Sequence, residues 1–150
     1  MLRLVPFAEQ YLDKSYEWLN DPEIRSLIDG PASVTREGQK RWYNLIKNDP
    51  TYQIWGIEYD GMPIGACGVK HIDTKKKSGE YWGYIGEKNY WGGKGHLIFE
   101  QIYKKAHNLE LDILTLNVLK NNIRALRLYE KEGFEYLSEK DNTITMIKRI

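Results

Sequence analysis

Two short stretches hold residues whose types and spacing suit chemistry. In "NYWGGKGHLIFEQ", Gly92, Gly93, Lys94 and Gly95 stand directly ahead of a helical apolar pattern. The first N–H groups of a helix lack intrahelical acceptors, and the aligned peptide dipoles place partial positive charge there, so a phosphate fits. Glycines remove the Cβ that would block close approach and tolerate the left-handed angles that turn successive N–H groups inward. The stretch therefore reads as a pyrophosphate cradle leading into a helix at His96. Two familiar nucleotide loops do not account for it. A G-x-x-x-x-G-K-[ST] loop needs a hydroxyl residue after Lys94, where Gly95 stands, and a G-x-G-x-x-G fingerprint begun at Gly93 ends on Ile98.

The second stretch is "NNIRALRLYEKEGF". Asn122, Ala125 and Tyr129 stand at i, i+3 and i+7, so one helix face carries an amide, a methyl-sized gap and a phenol. Such a stripe can line an extended ligand. The same residues also fit an ordinary helix, with Asn122 as N-cap, Tyr129 at the core edge and Gly133 as the stop before Phe134.

The elements that must position these residues follow from periodicity. "LRLVPF" reads as a strand, and "AEQYLDKSYEWLN" as a helix with Tyr11, Ser15, Trp18 and Leu19 at helical spacing. Asp21 is the expected N-cap of a short turn opened by Pro22, and Thr35 begins a helix with Trp42, Leu45 and Ile46 on one stripe. The period then changes to two. "YQIWGIEY" and "PIGACGVKHI" form a hairpin about Asp60-Gly61, and "GEYWGYIG" follows the exposed turn "DTKKK". After the glycine loop come a helix, the strand "DILTLNV", a helix from Asn122 to Glu132, and a closing pair "FEYLSE" and "TITMIKR". Strands flanking helices in the order β-α-α-β-β-β-α-β-α-β-β predict a mixed α/β (α+β) sheet covered by helices.

Taken together, "WGYIG", the loop "YWGGKG" and "NNIRALRLYEKEGF" resemble the GCN5-related N-acetyltransferases, and "WLNDPEIR" with "MPIGACGV" resembles the RimJ/RimL-type branch. The resemblance runs from Leu2 to Ile150. It implies one domain over residues 1–150, with a mostly antiparallel sheet of about seven strands and acetyl-CoA bound where strands 4 and 5 splay apart. A bulge at Gly83 would aid the splay. By position, Tyr84, Ile85 and Gly86 would offer backbone groups to the acetyl and pantetheine portions. Gly92, Gly93, Lys94, Gly95, His96 and Leu97 would hold the pyrophosphate, Asn122 would meet the pantetheine arm, and Tyr129 would protonate the departing thiolate. The loop departs from the family's Q/R-x-x-G-x-G/A: it offers Tyr90-x-x-Gly93-x-Gly95 or Gly92-x-x-Gly95-x-Leu97, the second favoured by helix phasing.

Transfer of an acetyl group to an amine needs an unprotonated nucleophile, stabilisation of the oxyanion and a proton for sulfur. A phenol of ordinary pKa near 10 is protonated at neutral pH and suits the last task. Glu80 and His71 are the candidate bases, with an ordered water as the alternative, since a histidine side chain titrates near neutrality. Glu23, Arg25, Trp42, Tyr52 and Trp82, with Trp18 beside them, are the candidate acceptor residues. Aromatic faces suit a ring-bearing amine such as a nucleotide-linked amino sugar, and Glu23 suits an ammonium group. Protein N-terminal acetylation and a non-catalytic acyl-CoA sensor remain the alternatives.

Composition bounds the rest. Twenty-two basic and 21 acidic side chains leave a net charge of +1, which argues against a broad nucleic-acid surface. Lys75, Lys76 and Lys77 read as a solvated turn. One cysteine, Cys67, and no spanning apolar run give the expectation of a cytoplasmic chain off the membrane. No metal is implied, and a homodimer is kept as an expectation.

Overall fold

The computed structural model describes residues 1–28, 30 and 33–150. Its strands are β1 (Leu2–Pro6), β2 (Gln53–Tyr59), β3 (Met62–Asp73), β4 (Ser78–Ile85), β5 (Ile113–Leu119), β6 (Glu135–Lys140) and β7 (Thr143–Arg149). The helices are α1 (Glu9–Leu19), α2 (Pro22–Ser26), α3 (Arg36–Ile46), α4 (Gly95–Asn108) and α5 (Ile123–Lys131), with one 3₁₀ turn at Lys88–Tyr90. The seven strands form one sheet in the order β1-β2-β3-β4-β5-β7-β6. Every neighbouring pair is antiparallel except β4–β5. The expected element order is found with one helix more, because the Pro22 turn is long enough to stand as α2 between α1 and α3.

Local chemistry explains the boundaries. Asp21 accepts from the Glu23 and Ile24 N–H groups to start α2, and Thr35 caps α3 through the Gly38 N–H. Asp60 and Gly61 both take positive φ, 50° and 83°, which gives the two-residue hairpin the twist its strands need.

Alternation along the strands sorts the side chains onto two faces. Leu114, Leu116 and Val118 of β5 join Tyr81, Cys67 and Val69 in a core closed by Ile98, Phe99, Ile102 and Ala106 of α4. On the opposite face Phe7, Tyr11, Leu12, Trp18, Ile24 and Ala66 form a second cluster under α1 and α2, against which Trp42, Trp82 and Tyr84 pack.

The parallel pair is short. β4 and β5 are in register from Ser78↔Ile113 to Tyr81↔Leu116 and no further, although β4 runs on to Ile85 and β5 to Leu119. Each strand keeps its outer partner, β3 or β7, through that stretch, so the sheet opens between them. The splay expected from the resemblance is present. The bulge expected at Gly83 is not, because β3 and β4 stay in register from Gly65↔Ile85 to Lys70↔Glu80. Gly83 answers to crowding instead: the Tyr81 hydroxyl lies 2.3 Å from where its Cβ would be. The β3–β4 irregularity falls between Lys70 and Asp73, where His71 adopts φ 53°.

Candidate active site

The glycine loop is assembled for conformation at one end and for packing at the other. Gly92 and Gly93 have φ of 90° and 73° with open space around them, so the backbone angle is what excludes a side chain. Gly95 is the first residue of α4, one earlier than expected, and a Cβ there would lie 2.3 Å from a Leu128 methyl. Its missing side chain lets α5 approach α4. The Ile98 N–H donates to the Lys94 carbonyl at 3.1 Å as the first helical bond, which leaves the N–H groups of Gly95, His96 and Leu97 without intrahelical acceptors. These donors and the open loop ahead of them fit a diphosphate.

Two side chains of that stretch turn elsewhere. The Lys94 ammonium lies over the Tyr59 and Tyr90 rings, 4.9 and 5.8 Å from their centroids. The His96 imidazole is held by Glu132 at 2.7 Å and Glu100 at 3.0 Å, so its contribution to an anion at the loop is its main-chain N–H.

The backbone groups expected to serve the acetyl and pantetheine portions are partly committed. The Gly86 N–H donates to the Ile64 carbonyl at 2.7 Å, and the Ile85 carbonyl accepts from the Trp91 indole at 2.8 Å. Gly86 is glycine because a Cβ would enter the Trp18 ring at 2.1 Å. Asn122 caps α5 through the Ala125 N–H and donates its side-chain N–H to the Leu27 carbonyl at 3.3 Å.

Tyr129 sits on the α4 side of the opening. Its ring meets Phe99 edge-on at 5.8 Å, and the same Phe99 packs on Tyr81 at 4.7 Å. Tyr81 is the last β4 residue paired with β5, and the charge a Tyr129 phenolate would carry pushes the Tyr81 phenol up, after burial itself. The two rings therefore share Phe99 as a packing partner, one from β4 and one from α5. Burial pushes the Tyr129 phenol up to about 12, which keeps it protonated far above neutral pH.

Glu80 lies on the other face of β4, two residues before Trp82. Its Oε1 is 3.1 Å from His71 Nδ1, the Lys70 ammonium is 3.7 Å from Oε2, and Asn117 Nδ2 donates to Oε2 at 3.3 Å. Thr145 donates its hydroxyl to Asn117 Oδ1 at 2.6 Å, which fixes which end of the amide faces Glu80. The structure brings the two candidate bases together. Asn117 and Thr145 were missed from sequence. Alternation in "DILTLNV" does set Thr115 and Asn117 opposite the apolar residues, but pairing with Thr145 on β7 is non-local.

Trp42, Tyr52 and Trp82 cluster on the Glu80 face with ring centroids 6.4 to 6.5 Å apart, and Trp82 stacks on Tyr84, which meets Trp18 edge-on. Burial pushes the Tyr52 phenol up to about 12, and the Glu80 charge adds to the rise. Glu23 is separate from this group: Lys88 bridges it at 3.0 Å and Asp21 at 2.8 Å. Arg25 donates to the Leu19 carbonyl at 3.5 Å at the end of α1, and while burial pushes the Tyr84 phenol up, the Arg25 charge offsets part of that rise. Among the described residues no cluster of His, Cys, Asp and Glu fit for a metal ion occurs, and no helix is long and apolar enough to cross a membrane.

Known proteins share this fold. The chain is 28% identical to acetyltransferase PseH of Campylobacter jejuni over 143 residues, covering 93% of this chain and 88% of the relative. The solved structure of that organism's N-acetyltransferase PseH in complex with acetyl coenzyme A superposes with a TM-score of 0.76 at 22% identity, covering 99% of both chains. Spermidine N-acetyltransferase from Vibrio cholerae in complex with CoA and spermine superposes with a TM-score of 0.90 at 19% identity, covering 99% of this chain and 95% of the other. The model of the acetyltransferase (GNAT) domain family matches residues 1–135. With that match spanning β1 to β5, the glycine loop, α4 and α5, the chain belongs to the GNAT acetyltransferase family.

Proposed function

We propose that the chain acetylates a primary amine on a small molecule by direct attack. The donor is acetyl-CoA, which supplies the acetyl group as a thioester. The amine nitrogen bonds to the carbonyl carbon, the carbon–sulfur bond breaks, one proton leaves nitrogen and one reaches sulfur. The observation that carries this reading is the division of labour across the sheet. Glu80 and the Trp42–Tyr52–Trp82 group occupy one face, Tyr129 occupies the other, and the opening between β4 and β5 joins them.

On the acceptor face, Glu80 takes the amine proton directly or through water, with His71 beside it and Asn117 holding its second oxygen. On the far face, Tyr129 donates to the departing sulfur. Main-chain N–H groups along the unpaired edge of β4 meet the charge that develops on the carbonyl oxygen, as preorganised donors do without rearranging. The amides of Gly95, His96 and Leu97 fix the diphosphate, and the Asn122 carboxamide leaves Leu27 to meet the pantetheine arm.

Replacing Glu80 with Gln is expected to lower kcat/KM about 10²-fold and to remove the acid limb of the pH profile. Steady-state rates from pH 5 to 9 read this out, and an unchanged profile removes Glu80 from the role of base.

Three flat rings beside a carboxylate favour an amine carried on a ring, and a nucleotide-linked amino sugar is the acceptor we favour, with Arg25 proposed to reach it and Glu23, bridged by Lys88, standing apart from the rings. A relative crystallised with spermine supports the broader class of small amines. The RimJ/RimL-type branch rests on "WLNDPEIR" and "MPIGACGV" alone, and a single domain over residues 1–150, a cytoplasmic location and a homodimer complete the proposal. Thiol release from acetyl-CoA, measured across nucleotide-linked amino sugars, polyamines and N-terminal peptides, tests it. Release with peptides only would overturn the small-amine reading, and binding of CoA with no release on any amine would make the chain a sensor.

A further inference from the structure

Outside the reacting centre, one carboxylate is nearly removed from solvent. Glu132 immediately follows α5, and its side chain is only 8% exposed. Its two oxygens are divided between different turns of α4: Oε2 is 2.7 Å from His96 Nδ1, and Oε1 accepts the Tyr103 hydroxyl at 2.8 Å. The Lys148 ammonium of β7 donates to that hydroxyl at 2.7 Å. His96 and Tyr103 are seven residues apart, two helical turns, so one carboxylate holds one face of α4 at two heights.

The rest of the α4–α5 seam is apolar. Gly95 meets Leu128, and Phe99 meets Tyr129. Contacts of that kind resist separation but are non-directional, so they leave one helix freer to slide along the other. A buried carboxylate with two directed partners removes that freedom. Its partner His96 lies in the turn that presents the Gly95–Leu97 amides, and Glu132 itself lies three residues after Tyr129.

We propose that Glu132 is a positioning residue: by holding His96 and Tyr103 together it sets the first turn of α4 against the helix that carries Tyr129, and so aligns the diphosphate grip with the proton donor. The inference rests on the reading of that turn as the diphosphate site. Protonation of His96 strengthens the contact. Glu132 and then Glu100 raise the imidazole above its usual 6.5, with Tyr103 and Lys148 the other titratable groups of the network. The sign follows: the charged contact is complete below 6.5 and is lost as pH rises through the raised value.

The test is calorimetry with CoA at pH 6 and pH 8.5 on the wild type, Glu132→Gln, Tyr103→Phe and His96→Gln, with thermal melts to establish folding. The ratio of each variant's Kd to the wild-type Kd at the same pH cancels the titration of CoA itself. Glu132→Gln and His96→Gln are expected to raise Kd about tenfold at pH 6 and by much less at pH 8.5, with KM for acetyl-CoA rising more than kcat falls; Tyr103→Phe raises Kd at both. A ratio near one at both pH values for folded Glu132→Gln overturns the proposal. If Glu132→Gln does not fold, the two α4 variants decide by the same criterion. No CoA binding by the wild type would overturn the diphosphate reading and this inference with it, whereas wild-type binding with unit ratios would overturn the inference alone.

Discussion

Replacing Tyr129 with Phe is expected to lower kcat by about 10²- to 10³-fold and to leave KM for acetyl-CoA within about twofold, the range typical of a lost general acid. The change removes one oxygen and keeps the ring. The ring is what packs on Phe99 and Phe134, at 5.8 and 6.1 Å, so the fold and the seam between α4 and α5 survive. The hydroxyl is what matters chemically. In the proposed reaction it would face a sulfur that acquires negative charge as the carbon–sulfur bond breaks. Because burial pushes the phenol up to about 12, nearly every molecule carries the proton at neutral pH, and any alkaline fall in kcat below about pH 10 must come from another group. A variant with wild-type kcat would assign the proton to water or to the acceptor, and a variant that lost only CoA affinity would make Tyr129 a binding residue.

The second large effect is expected at Gly95. Ala there places a methyl 2.3 Å from one Leu128 methyl carbon and 2.8 Å from the other, well inside contact distance. Overpacking of this kind costs about 1–3 kcal/mol. Here it also displaces the turn whose N–H groups are unpaired, so KM for acetyl-CoA should rise about tenfold or more beyond what the loss of stability explains. Shortening the other partner separates the two effects. In the double variant Gly95→Ala, Leu128→Ala the space returns, and much of the CoA affinity should return with it even though Leu128→Ala alone is destabilising. Urea unfolding and steady-state kinetics on the four proteins make the comparison. An additive double variant would show that Gly95 acts through its own backbone and not through the seam.

These two residues also mark how far the sequence could be read. Although the contact that requires glycine at 95 is with Leu128, far along the chain, Gly95 and Tyr129 stood out because helix-start chemistry and helical spacing are local signals. The same holds for Asp60-Gly61, whose positive φ angles the turn demands, and for Asn122, whose capping bond reaches only to Ala125. What escaped is non-local. Thr145 reaches Asn117 across a strand pair 28 residues apart, and Glu132 meets His96 across 36. No period or motif in one chain encodes such meetings. The Gly83 bulge failed for a related reason. Gly83 is needed because Tyr81, two residues back on the same face, folds its ring along the strand, and a side chain's direction is set by the packing of α4 over it. His96 was placed at the loop by number, and its imidazole instead follows the two carboxylates that flank it.

Partition of the proposed acid, Tyr129, and the proposed base, Glu80, to opposite faces of the sheet also bears on order. An amine can approach Glu80 from the side of Trp82 while the donor occupies the opening, with no need for either to leave first. Initial rates with both substrates varied should therefore give intersecting lines, as expected of a ternary complex, and not the parallel lines of an acetylated enzyme.

The most direct measurement is a crystal structure with CoA bound. The account predicts diphosphate oxygens within hydrogen-bonding distance of main-chain N–H groups between Gly92 and Leu97, and the sulfur in the opening between β4 and β5 beside the Tyr129 hydroxyl. A diphosphate seated elsewhere, or a sulfur on the solvent side of α5, would contradict it.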